Sequence, residues 1–308
     1  MFKRVIAAFL VASAPFAGAA SAATIGVAFA DDDTFLKLLR AGVEDEASKR
    51  GGVSLTVEVA GKDADRQMDT LKSFIDQKVD AMIVNLVNSD DGKAVSQMAS
   101  EAGIPLVYVN TQPINAAELP RRQTFVASDD EKGGTLQAKE ACRLLNGKGR
   151  IVLMMGELTN PAARRRSDAV AAVAKTEECS GLEIVERQSA NWKRDQGTSV
   201  MGEWLNADVA FDAVLANNDD MALGALRIMS LRGLPMDEIV VAGIDATPAA
   251  LTAMKAEELD FTVYQNASAQ GAGAIKAAID LIAGEKVPPA IDIPYELVTP
   301  ANLANYVE

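Results

Sequence analysis

The sequence predicts an α/β protein of two lobes, each a doubly wound parallel sheet flanked by helices. Three observations predict it. Short Val/Ile/Leu-rich runs alternate with longer stretches whose apolar residues recur three and four positions apart. Most of the runs are continuous rather than alternating, as strands covered by helices on both faces require. Their number within 308 residues exceeds what one modest sheet would use.

The elements follow in order. Residues 1–22 read as a secretory signal peptide. Lys3 and Arg4 precede an apolar stretch from Val5 to Ala20, and Ala20-Ser21-Ala22 offers a small-x-small cleavage site. TIGVAFA (24–30), VSLTVEV (53–59), AMIVNLV (81–87) and PLVYVN (105–110) are strands of the first lobe. Between them, Phe35, Leu38, Leu39 and Val43 form one helical stripe, and Met68, Leu71 and Ile75 another. Asp63, Asp65, Gln67 and Asp69 have calcium-loop spacing. However, Met68 and Phe74 stand where such a loop needs Gly and Glu, so a helix start is the better reading. VASDDEKGG (126–134) marks a crossing between lobes, with Gly133 and Gly134 opening a helix. RIVLMMG (150–156), LEIVER (182–187), DAVLANN (212–218), IVVAGID (239–245) and FTVYQN (261–266) supply the second lobe. A helix near 269–283 returns to the first lobe, and LVTPANL (297–303) crosses again. The expected division is 23–128 with 266–294, and 129–265 with 295–308.

Composition narrows the function. A formal charge of −13 argues against nucleic acid or anionic lipid as a partner. The absence of histidine excludes Ser-His-Asp and Cys-His catalysis and any His-ligated metal. There is no Gly-x-Gly-x-x-Gly and no Walker-type loop, and no cofactor is expected. Cys142 and Cys179 are an even pair in a chain expected to be exported, which suits a disulfide; two buried free thiols are the alternative.

In open α/β sheets, ligands sit beyond the carboxyl ends of the strands. Here those positions hold Asp31-Asp32-Asp33, Asn110-Thr111, Glu157, Asn217-Asn218-Asp219-Asp220, Asp245 and Gln265-Asn266. Carboxylates and amides dominate, and no nucleophile stands beside a base. Such a set holds a polyhydroxy ligand through many hydrogen bonds. Each residue alone reads equally well as a cap of the following helix.

The segments NNDDMALGAL (217–226), VVAGIDATPAAL (240–251), NPAARRRSDAV (160–170) and TVYQN (262–266) resemble the ribose-type periplasmic sugar-binding proteins. ANWKRDQG (190–197) and ELVTPANL (296–303) look closer to the inositol- and rhizopine-binding subgroup. The resemblance spans essentially the whole chain after residue 22. It implies the type I periplasmic binding protein fold, two Rossmann-like lobes joined by three hinge crossings. It also implies a non-enzymatic, monomeric, periplasmic solute-binding protein that delivers a sugar or polyol to the membrane permease of an ABC importer.

Carried over by position, Phe35 and Trp192 stack on the two faces of the ligand. Arg166 donates to ring oxygens and hydroxyls. Asn218, Asp245 and Gln265 are polar contacts. Asp33 stands where many relatives have Asn, Leu36 replaces a second Phe, and Asn110-Thr111 replaces an Asp-Arg pair. Asp33 and Asp245 against Arg166 leave one net negative charge, and two if Glu157 faces inward. That balance predicts an inositol or an amino-inositol and disfavours ribose. Two other outputs fit the same chain: presentation of the closed form to a chemoreceptor or sensor kinase, or a secreted hydrolase using Asp33 and Asp245 as paired carboxylates. A sugar-responsive repressor would need a basic helix-turn-helix where the signal peptide stands.

Overall fold

A computed structural model describes residues 22–307. All but the last residue of the expected signal peptide therefore lies outside the described residues. The first sheet contains β1 (Ala23–Phe29), β2 (Val53–Val59), β3 (Ala81–Val84), β4 (Leu106–Val109), β5 (Gln123–Ala127) and, far along the chain, β11 (Ala290–Asp292). Their order is β11-β5-β4-β3-β1-β2, and every pairing is parallel. The second sheet runs β7 (Gly181–Ser189), β6 (Lys148–Met155), β8 (Ala213–Ala216), β9 (Val240–Ala242), again all parallel. β10 (Thr262–Gln265) and β12 (Tyr295–Val298) form an antiparallel pair. Parallel bridges from Ala242 to Phe261 and from Asp245 to Tyr264 attach that pair to the second sheet.

Burial explains the pattern seen in the sequence. β3, β4 and β8 are buried along their whole length, because helices cover both faces. In the first lobe, α1 (Thr34–Arg50) and α9 (Ala267–Ile282) cover one face through Phe35, Leu39, Val43 and Ile275. The other face meets α2 (Ala64–Asp76) and α3 (Gly92–Ala102) through Leu71, Phe74 and Val95. In the second lobe, α6 (Arg194–Asn206), α7 (Asp219–Leu231) and α8 (Pro248–Lys255) lie on one face, and α4 (Asp130–Leu144) and α5 (Pro161–Val173) on the other. Cys142 at the end of α4 is bonded to Cys179 beyond α5, their Cα atoms 5.7 Å apart. Among the described residues no helix is long and apolar enough to cross a membrane.

The helix starts follow side-chain capping. Asp63 accepts from the Arg66 amide at 3.0 Å and opens α2, so the acidic run there is a helix start. The acidic groups among the described residues assemble no metal cluster. α4 begins at Asp130, capped by Asp129, so Gly133 and Gly134 lie inside the helix rather than opening it. Their role is close approach. A side chain on Gly134 would meet the backbone of Arg166, and one on Gly133 would meet the ring of Tyr295. Asn218, and not Asp219 or Asp220, caps α7.

The chain passes between the sheets three times. It crosses between β5 and α4, between β10 and α9, and between β11 and β12. The loops after β1, β3 and β4 thereby face those after β6, β8 and β9.

Candidate ligand-binding site

Between the facing loops lies a cavity of about 110 Å³. The loop after β1 and the start of α1 contribute Asp31, Asp33, Phe35 and Leu36; the loop after β2 gives Lys62, the loop after β3 gives Asn85, and the loop after β4 gives Asn110 and Thr111. From the second lobe come Glu157, Asn160 and Arg166 after β6, Trp192 after β7, Asn218 after β8 and Asp245 after β9, with Gln265 closing β10. The eleven residues given ligand-facing places by the resemblance therefore line one cavity, as does Asp31, whereas the strand-end residues Asp32, Asn217, Asp219, Asp220 and Asn266 do not. Lys62, Asn85 and Asn160 were not singled out.

Four lining residues have an unusual backbone. Lys62 (φ 65°), Asn110 (φ 63°), Trp192 (φ 66°) and Asp245 (φ 125°) hold positive φ, which side-chain-bearing residues rarely adopt. Each points its side chain at the cavity from a turn that an ordinary helix entry would not make.

Arg166 is the centre of the site. It is 4% exposed. Its Nε donates to Asp130 Oδ1 at 3.0 Å, and Nη1 to the Asn217 carbonyl at 2.6 Å. Nη2 donates to Gln265 Oε1 at 3.0 Å and to the Tyr295 hydroxyl at 2.7 Å. A guanidinium has five N–H groups, so one, on Nη1, remains for the cavity. That nitrogen lies 3.8 Å from Asp245 Oδ1. Burial alone would lower the Arg166 pKa, but Tyr295, Asp130 and Asp245 hold it above its ordinary value.

Asp245 is the reverse case. Its carboxylate is buried and accepts no hydrogen bond among the described residues. Burial pushes its pKa well up; Arg166 opposes this, while Asp219, Asp33 and Asp220 add to it. Asp33 caps α1 with Oδ1, accepting from the Leu36 amide at 2.8 Å, and keeps its second oxygen for the cavity. Burial raises its pKa as well, opposed by the Leu36 amide and reinforced by Asp31.

Other predicted residues are more committed to the protein. Asn218 caps Met221 with its oxygen and donates to the Trp192 carbonyl, leaving one amide hydrogen. Asn85 donates to Thr111 Oγ1 at 2.9 Å and reaches Asn110 Oδ1 at 3.4 Å, tying β3 to β4. Phe35 belongs to the first-lobe core and to the cavity wall alike. The capping and ligand-facing readings of strand-end residues are thus both realised, often in one side chain.

The rim is shut by polar contacts between lobes. Lys62 Nζ lies 3.3 Å from Glu157 Oε2. Thr34 Oγ1 donates to Asp220 Oδ2 at 2.7 Å, and Arg194 holds the other oxygen of Asp220 at 2.6 Å. Including Lys62 and Asp31 revises the charge count. Asp31, Asp33, Glu157 and Asp245 line the cavity against Lys62 and Arg166, and Arg166 already faces Asp130 outside it.

Trp192 lies on Gly156, whose hydrogen atom leaves room for the indole; any Cβ there would overlap the ring. Gly156 cannot retreat. Its amide donates to Asn217 Oδ1 at 3.0 Å, and its carbonyl accepts from Ser189 Oγ at 2.7 Å. Gly156→Ala is therefore expected to drive Trp192 into the cavity and weaken ligand binding about tenfold, at an overpacking cost of about 1–3 kcal/mol. Calorimetric titration of the variant checks this; an unchanged dissociation constant would mean that the ring does not set the cavity's width.

Residues 25–286 match the profile of the periplasmic binding protein domain. Over 289 residues, 94% of each chain, the protein is 50% identical to the "Putative rhizopine-binding protein" of Rhizobium meliloti. It is 32% identical over 277 residues to the ribose import binding protein of Bacillus subtilis, covering 90% of this chain and 87% of that one. An ABC transporter solute-binding protein of Bacillus halodurans, solved with myo-inositol bound, superposes with a TM-score of 0.88 at 38% identity, covering 94% of this chain and 98% of the other. A two-lobed parallel α/β chain with an interlobe cavity, matching this profile over residues 25–286, belongs to the periplasmic binding protein family, as a solute-binding component of an ABC importer.

Proposed function

We propose that the protein captures a cyclic polyol, an inositol or an amino-inositol, in its interlobe cavity and delivers it to an importer's membrane permease. The carboxylate excess carries the ligand class. Four carboxylates line the cavity against two cations, one of them already matched by Asp130. A buried carboxylate without a partner is costly, and a ligand ammonium offsets that cost. Phe35 and Trp192 suit the C–H faces of a ring, while Asp245, the free oxygen of Asp33 and the Gln265 amide suit a rim of hydroxyls. The myo-inositol bound to the Bacillus halodurans relative and the name of the Rhizobium meliloti relative support the same class.

The test is thermal unfolding of the protein against pentoses, hexoses, inositols and amino-inositols. A ligand at a thousand times its dissociation constant adds about 4 kcal/mol to the folded state. That is several degrees, at roughly 2–4 °C per kcal/mol. The largest shift is expected with an amino-inositol, a smaller one with myo-inositol and little with ribose. A shift confined to pentoses or hexoses would overturn the cyclitol reading, and no shift across the panel would overturn capture of this ligand class altogether.

A further inference from the structure

Arg166 bonds to one residue from each of the three chain crossings. Asp130 stands just after the first, Gln265 just before the second and Tyr295 just after the third. Tyr295 also donates to Asp130 Oδ1 at 3.0 Å, which closes Arg166, Asp130 and Tyr295 into a ring of bonds. All four side chains are buried. The guanidinium also lies 5.7 Å from the centre of the Tyr295 ring and 5.6 Å from that of Trp192. On the first-lobe side, Gln270 of α9 donates to Ser128 Oγ at 2.9 Å. The first crossing is thus pinned to one lobe at Ser128 and to the other at Asp130.

We propose that Asp130 and Tyr295 are positioning residues. They lock Arg166 to the second-lobe roots of all three crossings, and so confine the bend between lobes to the few residues that link the two anchored sides. Lobe rotation needs backbone change somewhere along the crossings. Buried hydrogen bonds to a charged group are the strongest that a neutral partner can make. With the roots fastened to one rigid guanidinium, rotation falls on residue 129, residue 266 and residues 293–294. The same fastening aims the last N–H of Arg166 at the cavity. The group that meets the ligand and the group that fixes the pivot are then one, and occupancy of the cavity is coupled to the angle between lobes. Neither Asp130 nor Tyr295 lines the cavity, so both act through Arg166.

Tyr295→Phe keeps the ring against Gly133 and deletes only the hydroxyl. Two readouts decide the proposal. One is the distance distribution between nitroxides at Glu101→Cys and Arg227→Cys, exposed positions on opposite lobes, measured without ligand. The other is the dissociation constant for myo-inositol. Tyr295→Phe is expected to broaden the ligand-free distribution and weaken binding about fivefold; Asp130→Asn is expected to broaden it likewise. A lowered thermal midpoint with an unchanged distribution in both variants would overturn the proposal, leaving the two residues as packing only. Coupling to the ligand rests on the cyclitol reading. If the wild-type protein ignores myo-inositol, that reading fails, while the ligand-free distribution still decides the role of the two residues.

Discussion

Arg166→Met is expected to lower the thermal midpoint by roughly 6–20 °C and to abolish ligand binding. The stability loss follows from what the guanidinium leaves behind. Asp130 loses its cation at 3.0 Å, Asp245 loses the only near one among the described residues, and the Gln265, Asn217 and Tyr295 oxygens each lose a donor. Removing one partner of a buried ion pair costs about 3–5 kcal/mol, or roughly 2–4 °C each in a protein of this size. Methionine fills the volume flexibly, so the loss reports charge and hydrogen bonding rather than a cavity. Arg166→Lys is expected to recover only part of it, because an ammonium cannot meet four partners arranged around a planar fork. The sign with pH is also set. Without Arg166 nothing opposes the burial of Asp245, and its folded-state pKa stands still further above its unfolded one. Stability is then fully present below the unfolded value and is lost as pH rises through the folded one. The deficit of Arg166→Met against wild type should therefore shrink on acidification. Scanning calorimetry at several pH values measures all of this, and a midpoint within two degrees or so of wild type would contradict the assignment of Arg166 as the structural centre.

Arg166 also shows where sequence reasoning reached and where it stopped. Parallel sheets were legible because β3, β4 and β8 are buried on both faces and read as unbroken apolar runs. β5 escaped notice as a strand because QTFVA begins with Gln123 and Thr124, whose buried polar groups bond to Ser96 and Pro288 from elsewhere in the chain. β11 is three residues at a sheet edge after two prolines, too short to leave a period. The site was legible by position, since carboxyl-end loops collect ligand groups. Lys62 was missed because β2 is a half-exposed edge strand, and its following loop reads as an ordinary turn. Asn85 was hidden inside AMIVNLV, where the strand stops at Val84 and the asparagine begins the loop. Asp130 and Tyr295 carry no local signal at all. Their partner lies 36 and 129 residues away, and no period or spacing records so distant a contact.

Asp33→Asn is expected to weaken binding of an amino-inositol about thirtyfold and to change binding of myo-inositol only slightly. The variant isolates charge. Asn and Asp are equally good helix caps, so the bond from the Leu36 amide and the start of α1 survive. What changes is the second atom, which turns from an anionic acceptor facing the cavity into an amide donor. A hydroxyl can donate or accept and adjusts by rotation. An ammonium only donates, so it loses its partner and meets a second donor. Loss of one member of a close, desolvated charge pair typically costs about 2 kcal/mol or more, which is about thirtyfold. The pH dependence gives an independent reading of the same carboxylate. Burial raises the pKa of both Asp33 and Asp245, so they discharge at higher pH than ordinary carboxyls. As pH falls through those raised values, affinity for the ammonium ligand should drop while that for the neutral cyclitol holds. Asp33→Asn should make the amino-inositol profile shallower, leaving the contribution of Asp245. Calorimetric titration of both ligands against both proteins between neutral and mildly acidic pH gives the four curves required. If the two ligands respond alike to the substitution and to acid, the carboxylate excess does not select a cation, and the protein's preferred ligand is a neutral cyclitol held by hydrogen bonds alone.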